Sequence, residues 1–173
     1  MKTRSVSKAE MGERVARFAG MKPNKVAFLD TRLPDHERDI FNMIGYGVNE
    51  DPDTKPAIAD ARGFTVTHNG CEPGKGSALH SHETIEVFIP LTGRWSVYWG
   101  DDGENEVILE QGDVISVPTG VMRGFRNAGD EYAVLIGVIE GSDPPGVHWH
   151  DRVIEAARET GLELDDEGKI KQA

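Results

Sequence analysis

The sequence predicts an all-β fold, a small antiparallel sandwich or barrel, with one short helix ahead of it and one behind. Three observations carry this. From Arg62 to Glu140 the chain runs in short segments rich in β-branched and aromatic residues, turn-forming residues interrupt them at short intervals, and helical spacing of apolar residues appears near both ends. The segments that read as strands are 64–69, 77–82, 85–91, 94–99, 106–109, 114–117, 122–126 and 132–140. This divides the chain into an N-terminal helix and barrel-wrapping extension at 1–61, a barrel at 62–141, and a loop, helix and tail at 142–173.

Each part has its own local reason. Ser7 with Glu10 forms a capping-box pattern, and Met11, Val15 and Phe18 follow at helical spacing until Gly20, which predicts a short amphipathic helix. Residues 21–61 mix prolines, charges and apolar patches such as Asp39-Ile-Phe-Asn-Met-Ile44; this segment is expected to wrap the barrel or pair at its edge, and a homodimer is expected. In Arg94-Trp-Ser-Val-Tyr-Trp99 the alternation sends Trp95, Val97 and Trp99 to one face, read as core. Val121, Arg123 and Phe125 share one parity, so Arg123 is expected to point inward with apolar neighbours, where its charge needs an acidic partner or a bound anion. After the loop Asp143-Pro-Pro-Gly146, the residues from Asp151 to Thr160 carry Val153, Ile154 and Ala157 as a helical stripe closed by Gly161. That stripe is expected to dock on the barrel or a partner subunit, with a solvated, disordered tail after it.

Composition narrows the function. With 30 acidic against 19 basic residues the formal charge is −11, and no basic patch is visible, which argues against a nucleic-acid partner. No apolar run approaches the roughly 20 residues that cross a bilayer, and the first ten residues lack an apolar stretch, so no membrane partner and a cytoplasmic location are expected. The single Cys71 excludes an intrachain disulfide and reads as a small buried residue.

The chemistry gathers in Gly74-Lys-Gly-Ser-Ala-Leu-His80-Ser-His82-Glu-Thr-Ile-Glu86. On a strand His80 and His82 project to the same side, and they can share one ion. Glu86 would lie about 13 Å from His82 on a straight strand, so the chain must bend between Ser81 and Ile85 for all three to ligate. Two imidazoles and a carboxylate form a facial triad suited to iron(II), and imidazole donors also suit zinc and nickel. The expected cofactor is therefore a divalent transition metal, Fe, Zn, Ni or Mn, on His80, His82 and Glu86. Elsewhere, His148 and His150 flank Trp149 and read as solvated loop residues around a packed ring, His68 as a hydrogen-bonded wall or core residue, and His36 as surface.

Together with Gly112-Asp-Val-Ile-Ser-Val-Pro118-Thr-Gly120-Val-Met-Arg123-Gly-Phe-Arg-Asn127, this stretch resembles the two motifs of the cupin superfamily. Gly74, His80, His82, Glu86 and Gly93 fill the first motif. Gly112, Pro118, Gly120 and Asn127 fill the second, whose histidine place holds Arg123. The resemblance implies a double-stranded β-helix, the cupin jelly-roll barrel. It also implies a metal site in which the missing histidine is usually the fourth ligand. Arg123 offers donors only and cannot ligate. Either the metal stays on the triad with Arg123 orienting an anionic small-molecule ligand, or Arg123 pairs with Glu86 and displaces the metal, or another histidine completes the sphere. Three functional classes follow: a metal-dependent, dioxygenase-like enzyme; a binding or sensing cupin without turnover; and a metal-free isomerase or epimerase using His80 or Glu86 as base.

Overall fold

Two five-stranded antiparallel sheets enclose the core in the computed structural model, which describes residues 3–48, 50–141 and 146–172. The first sheet contains β1 (Asp39–Ile44), β2 (Phe64–Cys71), β4 (Glu86–Pro90), β7 (Ile115–Val117) and β9 (Ala133–Glu140), in the order β1-β2-β9-β4-β7. The second contains β3 (Gly76–Ser81), β5 (Trp95–Trp99), β6 (Asn105–Leu109), β8 (Arg123–Asn127) and β10 (His148–Trp149), in the order β10-β3-β8-β5-β6. This is the jelly-roll arrangement of a double-stranded β-helix. All eight segments expected as strands are strands, with ends shifted by a few residues.

Aromatic packing closes one end of the barrel. Phe88 from the first sheet meets Phe125 from the second edge-on, with ring centroids 5.2 Å apart, and Trp95 meets Phe125 at 5.9 Å. Val97, Leu109, Val117 and Leu135 fill the space between them. Cys71 is buried in the same cluster, and burial pushes its thiol up to about 12, so it is inert as a nucleophile. The turns around this core need left-handed backbone at Gly93 (φ 70°) and Gly120 (φ 72°), a conformation that a Cβ disfavours. Asn127 is structural: buried, it donates to the carbonyls of Cys71 and Glu131 and accepts from the Gly129 amide.

The flanks differ from the sequence expectation in two places, the length of the first helix and the tail, while the edge pairing allowed for residues 21–61 is present. Helix α1 (Lys8–Gly12) has its capping box but stops at Gly12, well before Gly20. It has no buried residue, and so short a helix without packing has little to sustain it. Phe18 leaves the helix and packs edge-on against Phe41 and His68. Residues 39–44 resolve as β1, paired with β2 from Asp39↔Gly70 onward, so the extension supplies an edge strand to its own sheet. The tail forms a hairpin of β11 (Leu162–Leu164) and β12 (Ile170–Gln172) where disorder was expected. Helix α2 (Asp151–Glu159) docks as anticipated: Val153 and Ala157 pack with Leu29, Leu33, Trp149 and Leu162 in a second apolar cluster. Residues 143–145 of the loop before β10 lie outside the described residues.

Candidate functional site

His80, His82 and Glu86 meet inside the barrel, their ligand atoms all within 4.8 Å of one another. The bend required by the sequence is present: β3 ends at Ser81, the chain turns through residues 82–85, and β4 restarts at Glu86. All three side chains are buried, at 8%, 2% and 6% exposure. Each imidazole is oriented by its Nδ1. That of His80 lies 2.9 Å from the Ala78 carbonyl and 3.2 Å from Ser77 Oγ; that of His82 lies 3.2 Å from the Thr84 carbonyl and 2.8 Å from Thr84 Oγ1. A carbonyl can only accept, so each Nδ1 carries a proton, and Nε2 is the nitrogen turned toward the cluster. Burial, reinforced by the nearby Arg123 charge, pushes His80 down to about 3 and keeps it neutral. At Glu86 burial raises the value, but the His82 contact and the Arg123 charge outweigh it and hold the carboxyl down to about 2, ionised.

Arg123 completes the cluster from behind. It is fully buried, and its Nη2 donates to Glu86 Oε2 at 2.9 Å and also contacts His82 Nε2; Nε lies 3.3 Å from the same carboxylate oxygen, and Nη1 donates to the Val121 carbonyl. His82 Nε2 and Glu86 Oε2 face each other at 3.2 Å, a pair that is satisfied only with a proton or another cation between them. The guanidinium meets that need for two of the three donors, whereas His80 Nε2 takes no hydrogen bond from any described residue.

The residues present suit a transition metal. Two imidazole Nε2 atoms and one ionised carboxylate converge within one coordination sphere, and each imidazole is held by an outer hydrogen bond of the kind that metal ligands carry. Arg123 competes for two of those lone pairs. His148 and His150 stay apart from the cluster: His148 is exposed, and His150 caps α2 by accepting from the Arg152 amide. His36, expected at the surface, is part-buried with Nδ1 3.1 Å from the Gly76 carbonyl, and His68 lacks the hydrogen bond expected at its Nδ1.

The comparisons agree with this architecture. The family described as the cupin domain matches residues 70–139. Residues 70–139 are a domain of the cupin superfamily. Among solved structures, it resembles a protein from Acidithiobacillus ferrooxidans, named provisionally as a sugar phosphate isomerase, with a TM-score of 0.61 and 19% identity over 94% of this chain and 93% of that one. It also resembles the polyketide cyclase RemF from Streptomyces resistomycificus, with a TM-score of 0.58 and 16% identity over 89% and 88% of the two chains. A cupin 2 domain-containing protein from Halorhodospira halophila gives 0.54 and 18% over 70% and 77%. At these identities the likeness is one of fold. A search among curated proteins finds no match.

A cavity of about 40 Å³ opens onto the triad of this cupin domain. His80, His82 and Glu86 form one wall, and Phe28, Arg38, Val48, Val147 and Trp149 are among the residues closing it. Arg123 is not in the lining. Trp149 lies over His80, ring centroids 5.4 Å apart, and its indole N–H donates to Glu50 Oε1 at 2.6 Å, while Glu50 Oε2 accepts from the Leu29 amide. Glu50 and Arg38 belong to the N-terminal extension, where charged residues among prolines read locally as solvated. Their role depends on a fold-back that no local pattern announces.

Burial raises Glu50 from 4.5 to about 7 against its two hydrogen bonds. An acid whose value is raised on folding binds its proton better in the fold, so this contribution to stability is full below about pH 4.5 and is lost as pH rises through about 7. The loss amounts to about 3 kcal/mol. Urea midpoints of the native protein and of Glu50→Gln, measured from pH 5 to 8, should diverge by that amount, because His80, held at about 3, contributes the same opposite slope below about pH 6.5 to both. An unchanged slope in Glu50→Gln would assign the titration to another group.

No described helix is long and apolar enough to cross a membrane.

Proposed function

We propose that the protein is a mononuclear metal-dependent enzyme acting on a small molecule, with a divalent transition metal held by His80, His82 and Glu86. The observation carrying this reading is the pair of Nδ1 contacts that turn two imidazole Nε2 atoms toward one ionised carboxylate, all open to the cavity. When bound, such an ion supplies Lewis acidity with positions left open for substrate and, for iron(II), for dioxygen, which makes a dioxygenase-like activity the leading form of the proposal. The chain's own residues hold the donors, keep His80 neutral, and restrict water through Trp149, Val147, Phe28 and Val48.

Protein purified without chelator should carry close to one transition-metal ion per chain by elemental analysis, and His80→Ala or His82→Ala should reduce it to a trace. A trace in the native protein would overturn the proposal. Oxygen uptake with small aromatic and keto acids then separates an oxygenase from a sensing cupin.

A second reading rests on its own observation, that Arg123 already places a cation against His82 and Glu86. In that case the cluster works without metal, as an isomerase or epimerase with Glu86 or His80 as base. A metal-free protein that still exchanges a substrate C–H proton with deuterium would favour it.

A further inference from the structure

We propose that Arg38 is the anion-binding residue of the cavity and that its ligand is a small carboxylate. Arg38 is 6% exposed and lines the same cavity as the triad. Its guanidinium lies between two rings, 5.2 Å from the centroid of Phe28 and 5.8 Å from that of Phe125, so its plane is set by packing. Nη1 donates to Asp30 Oδ2 at 2.9 Å and to the His36 carbonyl at 3.1 Å, whereas the buried Nε has no partner. An unpaired buried donor is costly, and the planar N–H fork of a guanidinium matches the two coplanar oxygens of a carboxylate.

The surrounding bonds tie this edge to the triad. Asp30 Oδ2 also accepts from the Ala78 amide at 2.8 Å and from Ser77 Oγ at 3.3 Å, and Ser77 Oγ lies 3.2 Å from His80 Nδ1. One buried carboxylate thus positions both Arg38 and the element that carries His80. The charges point the same way. Asp30 offsets Arg38, and Glu86 offsets Arg123. Adding a divalent ion leaves these two pairs and the ion with an excess of two positive charges, which an ionised Glu50 lowers to one and a bound anion compensates. Size limits that anion: at roughly 10–15 Å³ per water, about 40 Å³ holds about three waters' worth of ligand, which fits an acid of two or three carbons.

The assignment rests on the cavity being the ligand site, as under Proposed function, but it is tested without metal. Chelator-treated protein is titrated calorimetrically with acetate, glyoxylate, inorganic phosphate and the neutral acetamide. The carboxylates should bind and acetamide should not. Arg38→Lys keeps the charge beside Asp30 but removes the fork, and should weaken carboxylate binding by roughly 10- to 100-fold. Its metal content, measured separately, should match that of the native protein. Equal carboxylate affinity in Arg38→Lys, equal binding of acetamide, or tighter binding of phosphate would each overturn the assignment. In the native protein, one arginine Nε–H resonance should shift saturably with acetate, which keeps the test open should the variant fail to fold; no such shift would also overturn it. Metal-free native protein with intact carboxylate binding would remove the metalloenzyme reading and leave Arg38 standing.

Discussion

Arg123→His should tighten transition-metal binding by roughly 100-fold, because it removes a competitor and adds a donor. In the native protein Arg123 Nη2 engages Glu86 Oε2 and His82 Nε2, two of the three atoms that an ion needs. An incoming ion must displace that group and then tolerate its charge, and even a unit charge at 4 Å costs about 4 kcal/mol at an effective dielectric constant of 20. A histidine at this position is well placed, since Arg123 is the Cα partner of His80 across β3 and β8. Directly opposed residues have Cβ atoms roughly 5 Å apart, within reach of a shared ion. Arg123→Gln separates the two effects, removing the charge without supplying an imidazole. Competitive chelation should rank the affinities as His above Gln above the native protein. Equal affinities in all three would mean that the guanidinium leaves the cluster freely and exerts no control over the metal.

The triad and its bend were legible because both follow from short-range rules. Period-two alternation puts His80 and His82 on one side, and the distance from His82 to Glu86 on a straight strand forces a turn where Glu83 and Thr84 stand. Arg123 was legible as an inward residue from its parity with Val121 and Phe125, and Glu86 was named as its partner; both appear in the structure. The place of Arg123 in the site was less readable. Parity says that a side chain points inward, not whether it reaches an open cavity or lies behind its neighbours, and here it lies behind them.

Arg38, Asp30 and Glu50 escaped sequence reasoning for a related reason. Each stands in a polar stretch whose local pattern is that of a solvated loop, and each is buried where the extension folds back on the barrel: the turn at Asp30–Arg32 bonds to β3, which carries His80, while β1 extends the other sheet. The usable signal was weak but present: Asp39-Ile-Phe-Asn-Met-Ile44 is apolar enough to need a partner, and whatever immediately precedes a strand is carried along with it. Trp149 sits between the two cases. The sequence marked it as a packed ring, while its position above His80 depends on the pairing of β10 with β3.

Glu86→Ala should destabilise the metal-free protein by about 3–5 kcal/mol, the largest stability effect expected in this fold. The loss comes mainly from what is left behind. Arg123 has no solvent exposure, and among the described residues its remaining contacts would be the Val121 carbonyl and the His82 imidazole, so a full positive charge is stranded in the barrel. Arg123→Met should cost a comparable amount by leaving Glu86 ionised and unpaired. The double variant Glu86→Leu with Arg123→Met removes both charges together and should recover most of the loss, because a buried ion pair replaced by apolar side chains is often neutral for stability. Urea unfolding in chelator of the native protein, Glu86→Leu, Arg123→Met and the double variant gives the coupling energy directly. Additive losses would show that the pair is not the source of the penalty. Strong coupling with a stable double variant would show that the barrel folds without this ion pair, so that its retention in a buried cupin site has to be explained by what the carboxylate and the guanidinium do to a ligand.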